Sequence, residues 1–357
     1  MNTLLSSYET NGLQLKNHIV MAPMTRSRAI GNIPNHLMAE YYAQRSGAGL
    51  IITEGTAPTA DALGYPRIPG IFSIEQREGW KKITSAVHQQ GAKIFLQLMH
   101  TGRVAHADNL PAGAVIRGAS GIKAAGQIFT DTDGLQDYGE PVALTIAGIE
   151  DIIQGFVVAA NNAMLAGFDG IEIHAANGYL PEQFLNPNIN NRTDEYGGNI
   201  INRAKLTLQI VERTAAAIGK TKVGIRFSPF STTADMQPYS EAAVSETYTY
   251  LATAINKLNI AYLHLSANPN IPRHTLDSIR SAFKGTIILS NGLTPATAEA
   301  ALHNGFADLV AFGRSFLSNP DLVTRIEKEA VLNVVDFKTL YSAGAEGYTD
   351  YPMLTYA

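Results

Sequence analysis

Apolar positions along this chain fall into short continuous runs separated by longer segments of helical period. The runs are residues 18–23, 50–55, 93–100, 170–175, 222–228, 262–266, 286–291 and 308–314. Continuous rather than alternating apolarity is what a strand buried on both faces requires. Between them, helical spacing covers residues 75–90, 149–166, 202–218, 242–258 and 296–304. Gly91, Gly167, Gly219 and Gly305 stand where a left-handed residue ends a helix. Thr294-Pro295 reads as an N-cap followed by a first-turn proline. Eight such units predict an α/β fold, a closed (β/α)₈ TIM barrel. The alternative is an open doubly wound sheet, which usually has fewer repeats.

Two segments break the alternation. Residues 4–15 carry Asn11-Gly12 between apolar positions, a hairpin signal, and such a hairpin could plug the bottom of the barrel. Residues 103–148 are long, poorly periodic and rich in Gly, Ala, Asp and Thr. They follow the third strand, so they are expected over the C-terminal face, where barrel active sites sit. The 357 residues are expected to form one domain, since barrels of this length fold as a unit.

Composition narrows the function classes. A net charge of −4 argues against a general nucleic-acid binder. With no cysteine, disulfides, iron–sulfur clusters, thiolate zinc sites and a cysteine nucleophile all drop out. Met1 to Ser7 has no basic region followed by a long apolar stretch, and no apolar run approaches ~18 residues. A cytoplasmic protein without a membrane partner is therefore expected. There is no G-x-G-x-x-G, no P-loop and no H-E-x-x-H, and the nine histidines lack metal-ligand spacing, so no metal is expected. Lys93 and Lys222 begin strands, the wrong end for a Schiff base.

Polar residues at strand C-termini carry the candidate chemistry. Asn291-Gly292 and Gly313-Arg314 follow the last two strands, a common phosphate position in barrels. Taken singly they read as turn glycines and a surface arginine. Gln97 and Arg226 suit the edge of a planar, amide-like ring such as a flavin, or alternatively an internal structural network. His174, Asn177 and Tyr179 cluster at the end of the fourth strand. The first two can both donate to one oxygen, and the tyrosine can give a proton. A lone barrel histidine would more often be a core residue.

These residues lie in stretches that resemble the Old Yellow Enzyme family of FMN-dependent ene-reductases, especially its bacterial branch acting on nitrate esters, maleimides and enones. The stretches are Met21-Ala-Pro-Met-Thr-Arg26, Gln97-Leu-Met-His-Thr-Gly-Arg103, the run from Gly167 through His174-Ala-Ala-Asn-Gly-Tyr-Leu180, Asn191-Arg-Thr-Asp-Glu-Tyr-Gly-Gly198, Ala311-Phe-Gly-Arg314 with Asn319-Pro-Asp-Leu322, and Ala345-Glu-Gly-Tyr-Thr-Asp-Tyr-Pro352. They span essentially the whole chain.

The resemblance implies bound FMN with NADPH or NADH as reductant. Thr25 would hydrogen-bond flavin O4. Pro23, Met24, Gly55, Gln97 and Arg226 would contact the ring or ribityl chain, and Asn291, Gly292, Gly313 and Arg314 the phosphate. His174 and Asn177 would hold the substrate oxygen, with Tyr65, Met99 and Tyr341 as pocket walls. Asn177 stands where many bacterial relatives have histidine, and Met99 where close relatives carry tryptophan, which implies a wider pocket. The implied reaction moves hydride from flavin N5 to the β-carbon of an α,β-unsaturated carbonyl or nitro compound while Tyr179 protonates the α-carbon. Nicotinamide and substrate would use one site in turn, in a monomer or homodimer. The rivals are a flavin-free lyase or isomerase with a phosphate-bearing substrate, and a non-catalytic flavin-binding scaffold.

Overall fold

The eight barrel strands and five of the helices sit where local pattern places them, and closure of the sheet sets up the site. In the computed structural model, residues 3–10, 12–268, 270–290 and 292–355 are described. The chain begins with an antiparallel pair, β1 (Tyr8–Thr10) and β2 (Leu13–Leu15). Asn11 of the expected turn lies outside the described residues. β3 (Ile19–Met21), β4 (Leu50–Ile52) and β5 (Lys93–Leu98) are the first three barrel strands. An excursion follows with β6 (Arg117–Gly118), β7 (Gln127–Thr130), β8 (Gly134–Asp137) and β9 (Val142–Ala143). β10 (Gly170–Ala175), β11 (Val223–Phe227), β12 (Tyr262–Ser266), β13 (Thr286–Ser290) and β14 (Leu309–Phe312) complete the ring. β14 pairs in parallel with β3, so the sheet is closed and the open-sheet alternative falls.

Helices α1 (His36–Gln44), α2 (Ile74–Gln89), α3 (Ile146–Leu165), α4 (Leu180–Leu185), α5 (Ile200–Ile218), α6 (Glu241–Leu258), α7 (Arg273–Ala282), α8 (Pro295–His303), α9 (Arg314–Ser318) and α10 (Leu322–Glu327) connect and follow these strands. Their ends obey local chemistry. Ser73 and Gln76 form a capping box on α2, and Thr294 and Thr297 form one on α8, with Pro295 at its first position. Gly91, Gly167 and Gly305 have φ of +73°, +87° and +67°. Gly219 departs from the expectation. Its φ of +96° comes with ψ of 135°, because the chain passes straight into a 3₁₀ turn at Lys220–Lys222 rather than closing a left-handed cap. None of the described helices is long and apolar enough to cross a membrane.

Side-chain parity divides the strands into two cores. On β10, Ile171, Ile173 and Ala175 face outward and pack with Ile149, Ile153 and Phe156 of α3 in the large core between sheet and helices. The opposite parity faces the barrel interior. Its lower layers are apolar: Val20, Leu50, Phe95, Tyr262, Ile288 and Leu309 pack with Leu13 and Leu15. The N-terminal hairpin thus plugs the bottom of the barrel, as its position implied. The upper interior layer is polar and holds Gln97, Glu172, His174, Arg226, His264 and Ser290.

Residues 103–148 are not structureless. β7 and β8 form a hairpin whose alternation is only four residues long on each strand, too short for a periodic signal.

Candidate active site

A cavity of about 910 Å³ opens at the C-terminal ends of the barrel strands. Ten of the expected site residues line it: Pro23, Thr25, Tyr65, Gln97, Met99, His174, Asn177, Tyr179, Arg226 and Tyr341. The β7–β8 hairpin contributes Ile128, Phe129, Asp131 and Leu135, with Tyr138 just beyond it, which puts the excursion over the active face.

The floor of this cavity is a chain of buried hydrogen bonds. Gln97 Nε2 donates to Glu172 Oε1 at 2.8 Å. Glu172 Oε2 lies 2.8 Å from His264 Nδ1, and His264 Nε2 lies 2.9 Å from Ser290 Oγ. Arg226 Nη2 reaches the same hydroxyl at 3.5 Å. Burial lowers the basicity of His264, so it carries one proton at neutral pH. A carboxylate only accepts, which puts that proton on Nδ1 and makes Nε2 the acceptor of the Ser290 hydroxyl. His264 and Gln97 therefore both donate to Glu172, and the Ser290 hydroxyl, which accepts from Arg226, has His264 Nε2 and the Leu265 carbonyl at 3.2 Å as its acceptors.

The two readings of Gln97 and Arg226 are thus compatible. Each is anchored in a buried network at one point and faces the cavity with the rest. Among the described residues, Arg226 Nε is buried without a partner, and so is His174 Nδ1. Unpaired buried nitrogens are costly, and in a cavity wall they point to a polar ligand. Sequence reasoning missed Glu172 and His264. The signal was an ionisable residue inside an otherwise apolar strand, at the same inward parity as His174 and Arg226.

The turn after β10 presents the other polar groups. Asn177 has φ of +57° and Gly178 of +84°. A Cβ on Gly178 would lie 2.7 Å from the Thr233 carbonyl oxygen, so only glycine fits there. Tyr179 Oη donates to Tyr65 Oη at 3.3 Å, and its ring meets His174 edge-on at 4.7 Å. Burial pushes the Tyr179 hydroxyl up to about 12, so it keeps its proton. Burial, reinforced by Arg226 and His264, holds His174 well below its ordinary value, so it is a neutral imidazole.

Residues 9–333 match the NADH:flavin oxidoreductase / NADH oxidase family. The chain belongs to that family. It is 40% identical to 12-oxophytodienoate reductase 1 of Oryza sativa subsp. japonica over 362 residues, covering 98% of this chain and 93% of the relative. It is 39% identical to 12-oxophytodienoate reductase 2 of Arabidopsis thaliana over 361 residues, covering 98% and 96%. Among solved structures, morphinone reductase superposes with a TM-score of 0.94 at 40% identity, covering 98% of this chain and 96% of that one. Morphinone reductase in complex with tetrahydroNAD gives 0.95 at 39%, covering 99% and 98%. An old yellow enzyme homologue from Zymomonas mobilis gives 0.94 at 38%, covering 99% and 100%. The chain is thus an FMN oxidoreductase of the Old Yellow Enzyme type with a nicotinamide reductant, and the flavin-free lyase is not favoured.

The remaining flavoenzyme positions lie around the cavity rather than in its wall. Gly55 backs Met99, whose sulfur would be 2.4 Å from a Cβ at that position. Met24 packs over Gly313, with its sulfur 3.5 Å from the corresponding point. Gly292 has φ of +70° with open space where a side chain would project, and Arg314 is exposed at the start of α9. They flank the ends of the adjacent strands β13 and β14, which suits a phosphate beside the main cavity. Asn291 lies outside the described residues. Arg226 and His174, which line the cavity and each hold a buried nitrogen with no partner among the described residues, and the open glycine after β13 fit a flavin ring with a phosphate tail.

Two buried carboxylates give the flavoenzyme a pH signature. Burial pushes Glu54 and Glu182 up to about 7. The native state therefore holds protons that the unfolded chain has released, and both groups make stability fall as pH rises from about 4.5 to about 7. Glu54→Gln should flatten that fall. Melting temperatures of wild type and variant at pH 5 and 7.5 check this, and parallel changes in the two proteins would refute it.

Proposed function

We propose that this flavoenzyme reduces activated C=C bonds of α,β-unsaturated carbonyl and nitro compounds, with NADPH or NADH as reductant. The observation that carries the reading is the convergence of His174, Asn177 and Tyr179 on one cavity with Gln97 and Arg226. Thr25, Pro23, Met24, Gly55, Gln97 and Arg226 would hold the FMN ring and ribityl chain, and Asn291, Gly292, Gly313 and Arg314 its phosphate. When bound and reduced, FMN supplies hydride from N5.

His174 and Asn177 donate hydrogen bonds to the substrate's activating oxygen. Negative charge builds on that oxygen as the β-carbon is reduced, and donors already in place stabilise it. His174 acts as a neutral N–H donor, and Asn177 has no proton to lose in the working range. Tyr179, still protonated at neutral pH, delivers its proton to the α-carbon. Met99, Tyr65 and Tyr341 wall the substrate, and the methionine's flexibility suits a range of ring sizes. We read residues 1–357 as one FMN-binding barrel domain with residues 103–148 as its cover. It works as a monomer or homodimer in the cytoplasm, where NADPH is regenerated.

An absorbance spectrum followed by an NADPH-consumption assay tests this. The purified protein should be yellow and should consume NADPH when cyclohexenone is added. A colourless protein, or a yellow one that leaves NADPH untouched with cyclohexenone, maleimide and nitroalkene alike, would overturn it.

A further inference from the structure

The turn that carries Asn177 and Tyr179 is held from behind by a buried carboxylate. Glu182 is 2% exposed. Its Oε2 accepts from the Gly178 N–H at 2.6 Å. Its Oε1 accepts from the Ser228 hydroxyl at 2.8 Å and the Tyr248 hydroxyl at 2.7 Å. Ser228 Oγ in turn accepts the Asn177 N–H at 2.7 Å. The neighbouring Gln183 holds the other side of the turn, donating to the Gly178 carbonyl at 2.7 Å and to the Thr101 carbonyl at 2.9 Å.

We propose that Glu182 is a positioning residue for the substrate-gripping turn, fixing Asn177 and Tyr179 through the Gly178 N–H and the Ser228 hydroxyl. This rests on the reading of Asn177 and Tyr179 given above. The turn needs an anchor, because Asn177 is a non-glycine residue in the left-handed region and such a residue persists only when its surroundings hold it there. Glu182 also answers the question its own burial raises. Its surroundings contain no paired cation among the described residues. The groups facing it are the Tyr248 hydroxyl of α6, the Ser228 hydroxyl after β11 and the Gly178 amide, with Tyr239 nearby. Arg203, which also acts on Tyr239, donates to the Leu185 and Gly198 carbonyls instead. A carboxylate kept in such a place without a counter-ion is expensive, and what it does there is accept three donors at once.

The three-donor arrangement requires the ionised form. Protonation turns one of its oxygens into a donor and loosens the set. Burial pushes the group up to about 7, so the grip should weaken as pH falls through that value. His174 stays neutral across this window, and Glu54, the other carboxyl near 7, is intact in every Glu182 variant.

The test uses the FMN-loaded enzyme and phenol as the oxygen probe. Glu182→Leu should weaken phenol binding about tenfold. It should also speed amide hydrogen exchange at residues 176–180 while the FMN content stays that of wild type. Glu182→Gln, which like the protonated acid replaces one acceptor with a donor, should bind phenol at pH 8 about as weakly as wild type does below pH 7, and should lose the inflection near pH 7. Wild-type affinity and exchange in the leucine variant would overturn the proposal. If that variant fails to fold, an unchanged pH inflection in Glu182→Gln overturns it instead. His174→Ala and Asn177→Ala, run alongside, separate the two readings. If they leave phenol affinity unchanged, the oxygen grip itself is wrong; if they weaken it and the Glu182 variants do not, only the positioning role falls.

Discussion

Tyr179→Phe should slow the oxidative half-reaction with cyclohexenone by about 10²-fold or more, the contribution of a placed general acid. Flavin reduction by NADPH should stay close to the wild-type rate. The asymmetry follows from what the hydroxyl does. Hydride arrival at flavin needs no proton from the protein, whereas reduction of the alkene leaves an α-carbon that must be protonated. The phenylalanine ring preserves the edge-on packing against His174 at 4.7 Å, so the loss is that of the proton and of the bond to Tyr65. Rapid-mixing kinetics of the two half-reactions decide the matter. Equal slowing of both would mean that Tyr179 shapes the cavity instead of donating a proton. Tyr65→Phe makes a useful companion, since it removes only the hydroxyl that accepts from Tyr179 and should have a much smaller effect.

The second large effect is expected from removing both oxygen donors. His174→Ala with Asn177→Ala should weaken phenol binding by about 10²-fold, from two hydrogen bonds of ~1–1.5 kcal/mol each. The two singles should not simply add, because both donors converge on one oxygen. Neither donor titrates in the neutral range, so the loss in the double variant should be similar at pH 6 and pH 8 apart from the Glu182 contribution. Phenol titrations followed by the flavin absorbance check both statements. An undiminished affinity in the double variant would place the substrate oxygen elsewhere in the cavity.

Much of the architecture was readable in one dimension because its causes are local. Strands buried on both faces must be continuously apolar, and β10 and β12 fall on the residues that pattern marks. Helix ends follow capping residues within three or four positions, as Ser73 and Thr294 show. The polar strand ends were legible for the same reason. A histidine, an asparagine and a tyrosine within six positions at the end of one strand stay together in any barrel. The phosphate role proposed for Gly292 and Arg314 rests on their order in the chain, since nothing local distinguishes them from turn and surface residues.

What tertiary structure alone decided is which distant groups meet. Ring closure through β14 and β3 turns a row of strands into a cavity, and no strand records that pairing in its own sequence. Closure brings Gln97, Glu172, His264 and Ser290 into one buried chain, though they come from four strands. It also carries Ser228 and Tyr248, 46 and 66 positions away, onto Glu182. A buried carboxylate is a liability in the sequence and becomes an anchor only once its donors arrive. The sequence alone determined the eight units and the polar groups at their ends, because periodicity and capping act over a few residues. The partners of those groups depended on the closed barrel, because hydrogen bonds between strands are set by register and parity.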